Sequence, residues 1–239
     1  MADEPEDDEF AEDGSPDGRQ ARWDGHNEAR RKRLLDAAIE LLDERPPGTE
    51  LRMAEIAERA GLRRPVIYRY FTDRQDLQAA IDQEIARRLV SLIMPIFDPH
   101  KPVIDIIHDS IAVYVHWSEE HPGLRHVIDR GFQTAGGSVQ KGVSDLALLV
   151  SQLVFTALQG FRVRLRDSDL AYVDPLVHGL IEAVVGTVRR WVSLEERPPA
   201  GMLVHLATES VWYIMAGHAH ALGMQLERDQ KLAELPDLD

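Results

Sequence analysis

Ile56-Ala57-Glu58-Arg59-Ala60-Gly61-Leu62-Arg63-Arg64-Pro65-Val66-Ile67-Tyr68-Arg69-Tyr70-Phe71 is the stretch whose reading decides the architecture. Upstream of Gly61, Met53, Ile56 and Ala57 recur at helical spacing, which predicts a short helix from Arg52 to Ala60. Gly61 is a natural left-handed stop for it. A second short helix from Arg64 to Tyr70 takes Pro65 in its first turn, where a missing N–H costs nothing. Ala57 must be small because the two helices cross there, while Ile56, Leu62 and Ile67 form the apolar wedge that sets the crossing angle. Arg63, Arg64, Val66, Tyr68 and Arg69 are left to project outward. Two short helices around a glycine turn, the second rich in arginine, form the geometry that lays a helix in a DNA major groove.

Working outward, a helix from about Glu28 to Asp43 turns Leu34, Leu35, Ala38, Ile39, Leu41 and Leu42 inward and ends at Arg45-Pro46-Pro47-Gly48. On the other side, Thr72 or Asp73 caps a long helix through Leu77, Ile81, Ile85, Leu89, Leu92 and Ile93, which Pro95 and Pro99 terminate. Further helical segments follow at Val103–Glu119, Pro122–Phe132, Gly142–Leu165, Pro175–Ser193 and Met202–Leu222. Sustained alternation of the strand type is lacking. The expected fold is all-α: a three-helix head with a helix-turn-helix at 25–72, a connecting helix at 73–97 and a larger C-terminal helical bundle at 98–230.

Charge is distributed unevenly. Across 239 residues, 41 Asp and Glu against 27 Lys and Arg leave a net charge of −14. Nine of the acidic residues lie between Asp3 and Asp17, with no basic residue among them, so residues 1–24 are expected to form a disordered acidic tail, and 231–239 a second tail. Between Glu28 and Arg74 the balance reverses to 11 basic against 9 acidic residues. A chain acidic overall can thus still turn a local positive face to a polyanion. Arg30-Arg31-Lys32-Arg33, with Arg19 and Arg22, reads either as a basic arm on DNA or as a counterweight to the tail, which itself is expected to compete with DNA for the arginine face. Arg59 reads as a solvent-facing or helix-pairing arginine, and Tyr70 and Phe71 as head core.

Cysteine is absent, which excludes disulfides and thiolate chemistry. The ten histidines include no His-Glu-x-x-His or comparable cluster, so neither a metal nor a cofactor is expected. Phosphate-binding glycine loops, nucleophile elbows and convincing carboxylate pairs are also lacking, so the chain does not read as an enzyme. No apolar run approaches the roughly 18 residues of a membrane span, and the N-terminus has no leader pattern. A cytoplasmic protein without membrane contact is expected.

The run Ile56–Leu62, then Pro65-Val66-Ile67-Tyr68-Arg69-Tyr70-Phe71, then Arg74-Gln75-Asp76-Leu77, resembles the N-terminal signature of the TetR (tetracycline-repressor-like) transcriptional regulators, over about Asn27 to Ile81. The resemblance implies that Arg64, Pro65 and Val66 occupy base-edge or groove-floor positions and that Tyr68 gives its hydroxyl to a phosphate. It implies backbone contacts from Arg74, where the family usually has lysine, and from Arg52, where it often has Ser or Thr. Val66 and Arg63-Arg64 depart from the family pattern, and the operator sequence does not follow from it.

The resemblance further implies a homodimer built on the last two long helices, reading a palindromic double-stranded DNA operator. It also implies an effector held among the middle helices. The candidate lining is Ile93, Phe97, Ile107, Ile111, Tyr114, Val127, Phe132, Leu149, Leu153 and Phe161, which suits an apolar small molecule. Solid core accounts for the same residues. The expected function is a ligand-released repressor; the alternative is a helical lipid-like ligand-binding protein without specific DNA binding.

Overall fold

The computed structural model describes residues 16–133, 144, 146–152, 154 and 171–231, with side chains from Asn27 onward except those of 132 and 133. In chain order these form α1 (Pro16–Asp43), α2 (Met53–Arg59), α3 (Arg64–Ile67), α4 (Arg74–Ile93), a 3-10 turn (Met94–Ile96), α5 (Val103–Glu120) and α6 (Pro122–Gln133). Helical residues 146–152 follow, and then α7 (Val173–Val192) and α8 (Ala200–Ala221). The fold is all-α, as the apolar periodicity requires.

Two boundaries differ from expectation. The first helix starts at Pro16 rather than near Glu28, so residues 16–24, placed in a disordered tail from composition, are helical. Here Arg19 and Arg22 dilute the acidic run, and the helix propagates backward from its buried segment through Gly25 and Gly18 to Pro16 in its first turn. Regular α3 stops at Ile67 instead of Tyr70, yet backbone bonds from Arg69, Tyr70 and Phe71 to Val66 and Ile67 carry the coil on as turns. Residues 1–15, 134–143 and 232–239 lie outside the described residues, as do most of the expected 142–165 helix, Leu153 and Phe161, and the side chain of Phe132.

One apolar cluster runs without interruption from the head to the bundle. It joins Leu34, Ala38, Ile56, Ile67 and Phe71 to Leu77, Ile81, Ile85 and Ile93 of α4. From there it passes to Ile111 and Val115 of α5, Val127 and Ile128 of α6, and Val188, Trp191 and Val204. The expected segments at 25–72, 73–97 and 98–230 are therefore one packed body, because α4 buries residues on the faces it turns to both neighbours. At the far end, the chain after α8 folds back onto the start of α5: Val103 N–H donates to the Gln230 carbonyl at 3.0 Å, and Arg228 lies over the Trp212 ring at 5.6 Å.

α6 meets the head directly. A Cβ at Gly123 would lie 2.0 Å from the Leu42 carbonyl oxygen, so only glycine allows the first turn of α6 to press on the last turn of α1. Beside it, His121 Nδ1 lies 2.8 Å from Asp43 Oδ2.

Ile93, Ile111, Tyr114 and Val127, proposed from sequence as pocket lining, are buried in the common core, and Phe97 and Ile107 pack against it half-buried. Leu149 is a correction: 41% exposed, it faces outward. Leu92, expected on the apolar stripe of the long helix, is exposed as well. The period identifies a common face but not which way that face points.

Candidate nucleic-acid interface

The glycine turn is built from its own backbone. Gly61 adopts φ +65°; its N–H bonds to the Glu58 carbonyl at 2.9 Å, and the Leu62 N–H reaches the Ala57 carbonyl at 2.8 Å. This pair of bonds is the left-handed helix stop that the sequence implies. A third group closes the end of α2: Arg33 Nη2 donates to the Ala60 carbonyl at 2.6 Å. Ala57 and Ile67 are fully buried, with Leu62 packed against them, so the crossing of α2 and α3 is the wedge expected.

α2 is clamped to α1 by ion pairs. Arg59 grips Glu44 through two bonds of 2.8 and 2.6 Å, and Glu40 lies at 3.5 Å. Arg45 bonds Glu55 Oε2 at 3.0 Å, and the same carboxylate accepts the Arg52 backbone N–H at 3.4 Å. The guanidinium beside each carboxylate holds Glu44 and Glu55 below the usual carboxylate range. Arg59 is therefore the helix-pairing residue expected from its position.

Arginines beyond the turn behave differently. Arg63, Arg64 and Arg69 are exposed and make no ion pair among the described residues. Tyr68 is 50% exposed, unusual for a ring of its size. Pro65 is exposed and Val66 half-buried beside them. Five of the sequence-predicted contacts thus share one outward surface on α3 and its flanking turns, and Val66 partly joins it. Tyr70 instead donates its hydroxyl to Asn27 Oδ1 at 3.2 Å, while Phe71 is buried under Arg31, whose guanidinium sits 5.4 Å from the ring centre. Arg31 and Arg33, though exposed, thus each hold one contact to the head.

Arg52 and Arg74 lie to one side, at the starts of α2 and α4, and both are exposed. Arg74 is engaged by Glu50 at 2.9 Å. Asp73 caps α4 by accepting the Asp76 N–H at 2.8 Å, and Asp76 in turn accepts the Thr72 N–H at 2.9 Å. Sequence reasoning missed Glu50, Arg33 and Arg45, since their partners lie 10 to 27 residues away and no local pattern records them.

A glycine-stopped helix pair with uncommitted guanidinium groups on its second helix, carried by an all-α body, defines a helix-turn-helix DNA-binding regulator. Residues 34–81 match the family described as bacterial regulatory proteins, tetR family. An uncharacterized HTH-type transcriptional regulator of Mycobacterium tuberculosis (strain ATCC 25618 / H37Rv) is 26% identical over 208 residues, spanning 87% of this chain and 86% of that protein. Among solved structures, a tetR-family transcriptional regulator from Streptomyces coelicolor superposes with a TM-score of 0.61 at 22% identity over 82% of this chain and 86% of that one. The fatty acid degradation regulator FadR from Bacillus halodurans gives 0.57 at 17% identity over 75% and 93%. Residues 34–81 thus match the tetR-family DNA-binding segment, and the fold of the chain is that of the solved TetR-family regulators. Among the described residues no helix is long and apolar enough to cross a membrane.

Proposed function

We propose that the chain is a cytoplasmic, homodimeric repressor that binds a palindromic operator through the α3 surface and leaves it when a small molecule enters the bundle. The observation that carries this reading is the contrast between arginines. Arg45, Arg59 and Arg88 are tied to carboxylates, while Arg63, Arg64 and Arg69 make no ion pair among the described residues and flank or lie on the short helix after the glycine turn. In this reading Arg64, Pro65 and Val66 face base edges; Arg63, Tyr68, Arg69, Arg52 and Arg74 take phosphates.

Dimerisation is supported by α8, where Met202, Leu206, Tyr213 and Ile214 are exposed large apolar side chains. A Cβ at Gly179 or Gly217 would meet nothing within 4 Å, so close approach by a second copy is open. Two heads related by a two-fold axis then read half-sites one helical turn apart. Effector binding tilts α4 and changes the head spacing, which requires tighter binding to the released state than to the DNA-bound one.

The test is selection of DNA from a random pool on the full chain, followed by anisotropy titration at rising salt. A specific site with a steep salt slope is expected. Arg64→Ala is expected to cost about 1–3 kcal/mol and relax the base preference, whereas Arg69→Ala lowers the slope by about one ion without changing preference. Failure to enrich any sequence overturns the reading.

A further inference from the structure

α1 runs unbroken from Pro16 to Asp43, and its two ends have different surroundings. At the C-terminal end Leu42 abuts Gly123 and Asp43 holds His121, where α5 passes into α6 of the bundle. Towards the other end Arg33 bonds the Ala60 carbonyl just before the Gly61 turn, and Asn27 accepts the Tyr70 hydroxyl just after α3. The helix therefore passes the whole helix-turn-helix and continues beyond it, away from the bundle. Residues 16–26 extend it by about 16 Å at 1.5 Å per residue, the length of about five base pairs of duplex. Every residue from Glu28 to Arg33 is exposed and burial starts at Leu34, so core packing does not account for this stretch.

Charge along this reach is sorted by face. Arg19, Arg22, His26, Arg30 and Arg33 follow one another at spacings of 3, 4, 4 and 3, which places these positions within about 80° of each other around the helix. Asp17, Asp24 and Glu28 fall on the opposite side, about 180° from the centre of the basic stripe. No residue three or four positions from Arg19, Arg22, His26 or Arg30 is acidic. A solvated helix face is built otherwise: on α4, Glu84 pairs with both Arg87 and Arg88. Like charges at helical spacing destabilise an isolated helix, and a row of phosphates offsets that repulsion. Because Arg33 of the stripe touches the end of α2, the stripe lies on the side of α1 that carries the glycine turn. Arg30 is exposed and makes no ion pair among the described residues.

We infer that the N-terminal reach of α1 is a second DNA surface, on which positions 19, 22, 26 and 30 follow the sugar-phosphate backbone beyond the base pairs that α3 reads. This rests on the reading of the chain as a DNA-binding regulator and extends its footprint past the helix-turn-helix. The surface adds affinity without base preference, since an arginine on a phosphate carries no sequence information. The acidic face opposite repels the duplex, so only one orientation of the rod is favourable. Eight acidic residues between Asp3 and Asp13 are tethered just ahead of the stripe and are its competing occupant.

Anisotropy titrations of the full chain at rising salt decide the matter, on a duplex bearing the selected operator and on an unrelated duplex of equal length. Arg19→Gln, Arg22→Gln and Arg30→Gln together keep good helix formers at all three positions, so the circular dichroism spectrum and the base preference are expected to stay as in the parent. The log–log salt slope is expected to fall by about 2–3 per subunit on both duplexes, with binding at least ten-fold weaker near 0.1 M salt. Arg197→Gln, which removes an exposed charge in the loop after α7, leaves the slope as it is. Gly25→Pro keeps every charge but interrupts the rod inside the stripe, and is expected to lower the slope by about 2, the share of positions 19 and 22. An unchanged slope in the triple variant overturns the surface; tighter binding assigns the stripe to the acidic tail and overturns it too. A parent slope in Gly25→Pro overturns the helical register as the device. If no operator is selected, the regulator reading fails, whereas the unrelated duplex still decides the stripe.

Discussion

A methyl group at residue 61 would force the left-handed backbone of the α2–α3 turn onto an L side chain and bring Cβ to 3.4 Å from Arg33 Nη2. Gly61→Ala is expected to lose about 1–2 kcal/mol, lowering Tm by roughly 2–8 °C, measured by calorimetry. DNA affinity should fall further than stability alone explains, since the turn aims α3. At Glu50 the sign is opposite: it occupies Arg74 in the free chain, so a phosphate must displace it. Glu50→Gln is expected to tighten DNA binding up to about five-fold at low salt, the scale of an exposed ion pair, with the gain shrinking as salt rises. A weaker complex would show that Arg74 takes no phosphate. Gly61 is legible from its neighbours, whereas Glu50 and Arg74 are 24 positions apart and meet only because α1 brings the loop after it back over α4.

At the scale of elements, α6 is the bundle helix whose first turn presses directly on the end of α1. Gly123→Ala puts a carbon 2.0 Å from backbone oxygen, a clash no rotamer relieves, and is expected to destabilise by about 1–3 kcal/mol or to push α6 off α1; chemical denaturation distinguishes it from Gly179→Ala, which meets nothing. On the same helix, burial raises the Asp129 carboxyl above its ordinary value, against the opposing charges of Arg125, Arg189 and His126. A raised carboxyl binds its proton more tightly when folded, so the stability it contributes is complete below the unfolded pKa and is lost as pH rises through the folded one. Asp129→Asn carries no such proton. Urea titrations from pH 4 to 7.5 should show the variant gaining on the parent as pH rises, and a constant difference would mean the carboxyl titrates normally. Helix positions were readable from apolar period and from Pro46-Pro47, Pro95 and Pro122. The pressure of α6 on α1 was not, because Gly123 after a proline reads as ordinary helix-start chemistry.

For the molecule as a whole, the exposed apolar side chains of α8 predict association. Leu206→Glu together with Tyr213→Glu should convert a dimer to a monomer in light scattering while leaving helicity intact, and should weaken DNA binding by far more than ten-fold, because each head alone holds one half-site. A dimer that survives both charges would place the interface elsewhere. Residues 3–17 carry nine negative charges; deletion of residues 2–13 should tighten non-specific DNA binding at low salt and have no effect near 1 M, where the Debye length is about 3 Å.

What the chain order alone determined was local: helices with their stops, a turn that needs glycine, and a short arginine-bearing helix that no apolar stripe draws inward. Such features depend on residues within one or two turns of each other, so their physics is written contiguously. Only folding decided which arginines are committed, since Arg33 and Arg59 find their partners at distant backbone and carboxylate oxygens while Arg63, Arg64 and Arg69 find none among the described residues. Folding also decided that Leu92 and Leu149 face outward. Periodicity states that residues lie together on a face; what covers that face is a matter of packing, and packing joins residues that the chain keeps far apart.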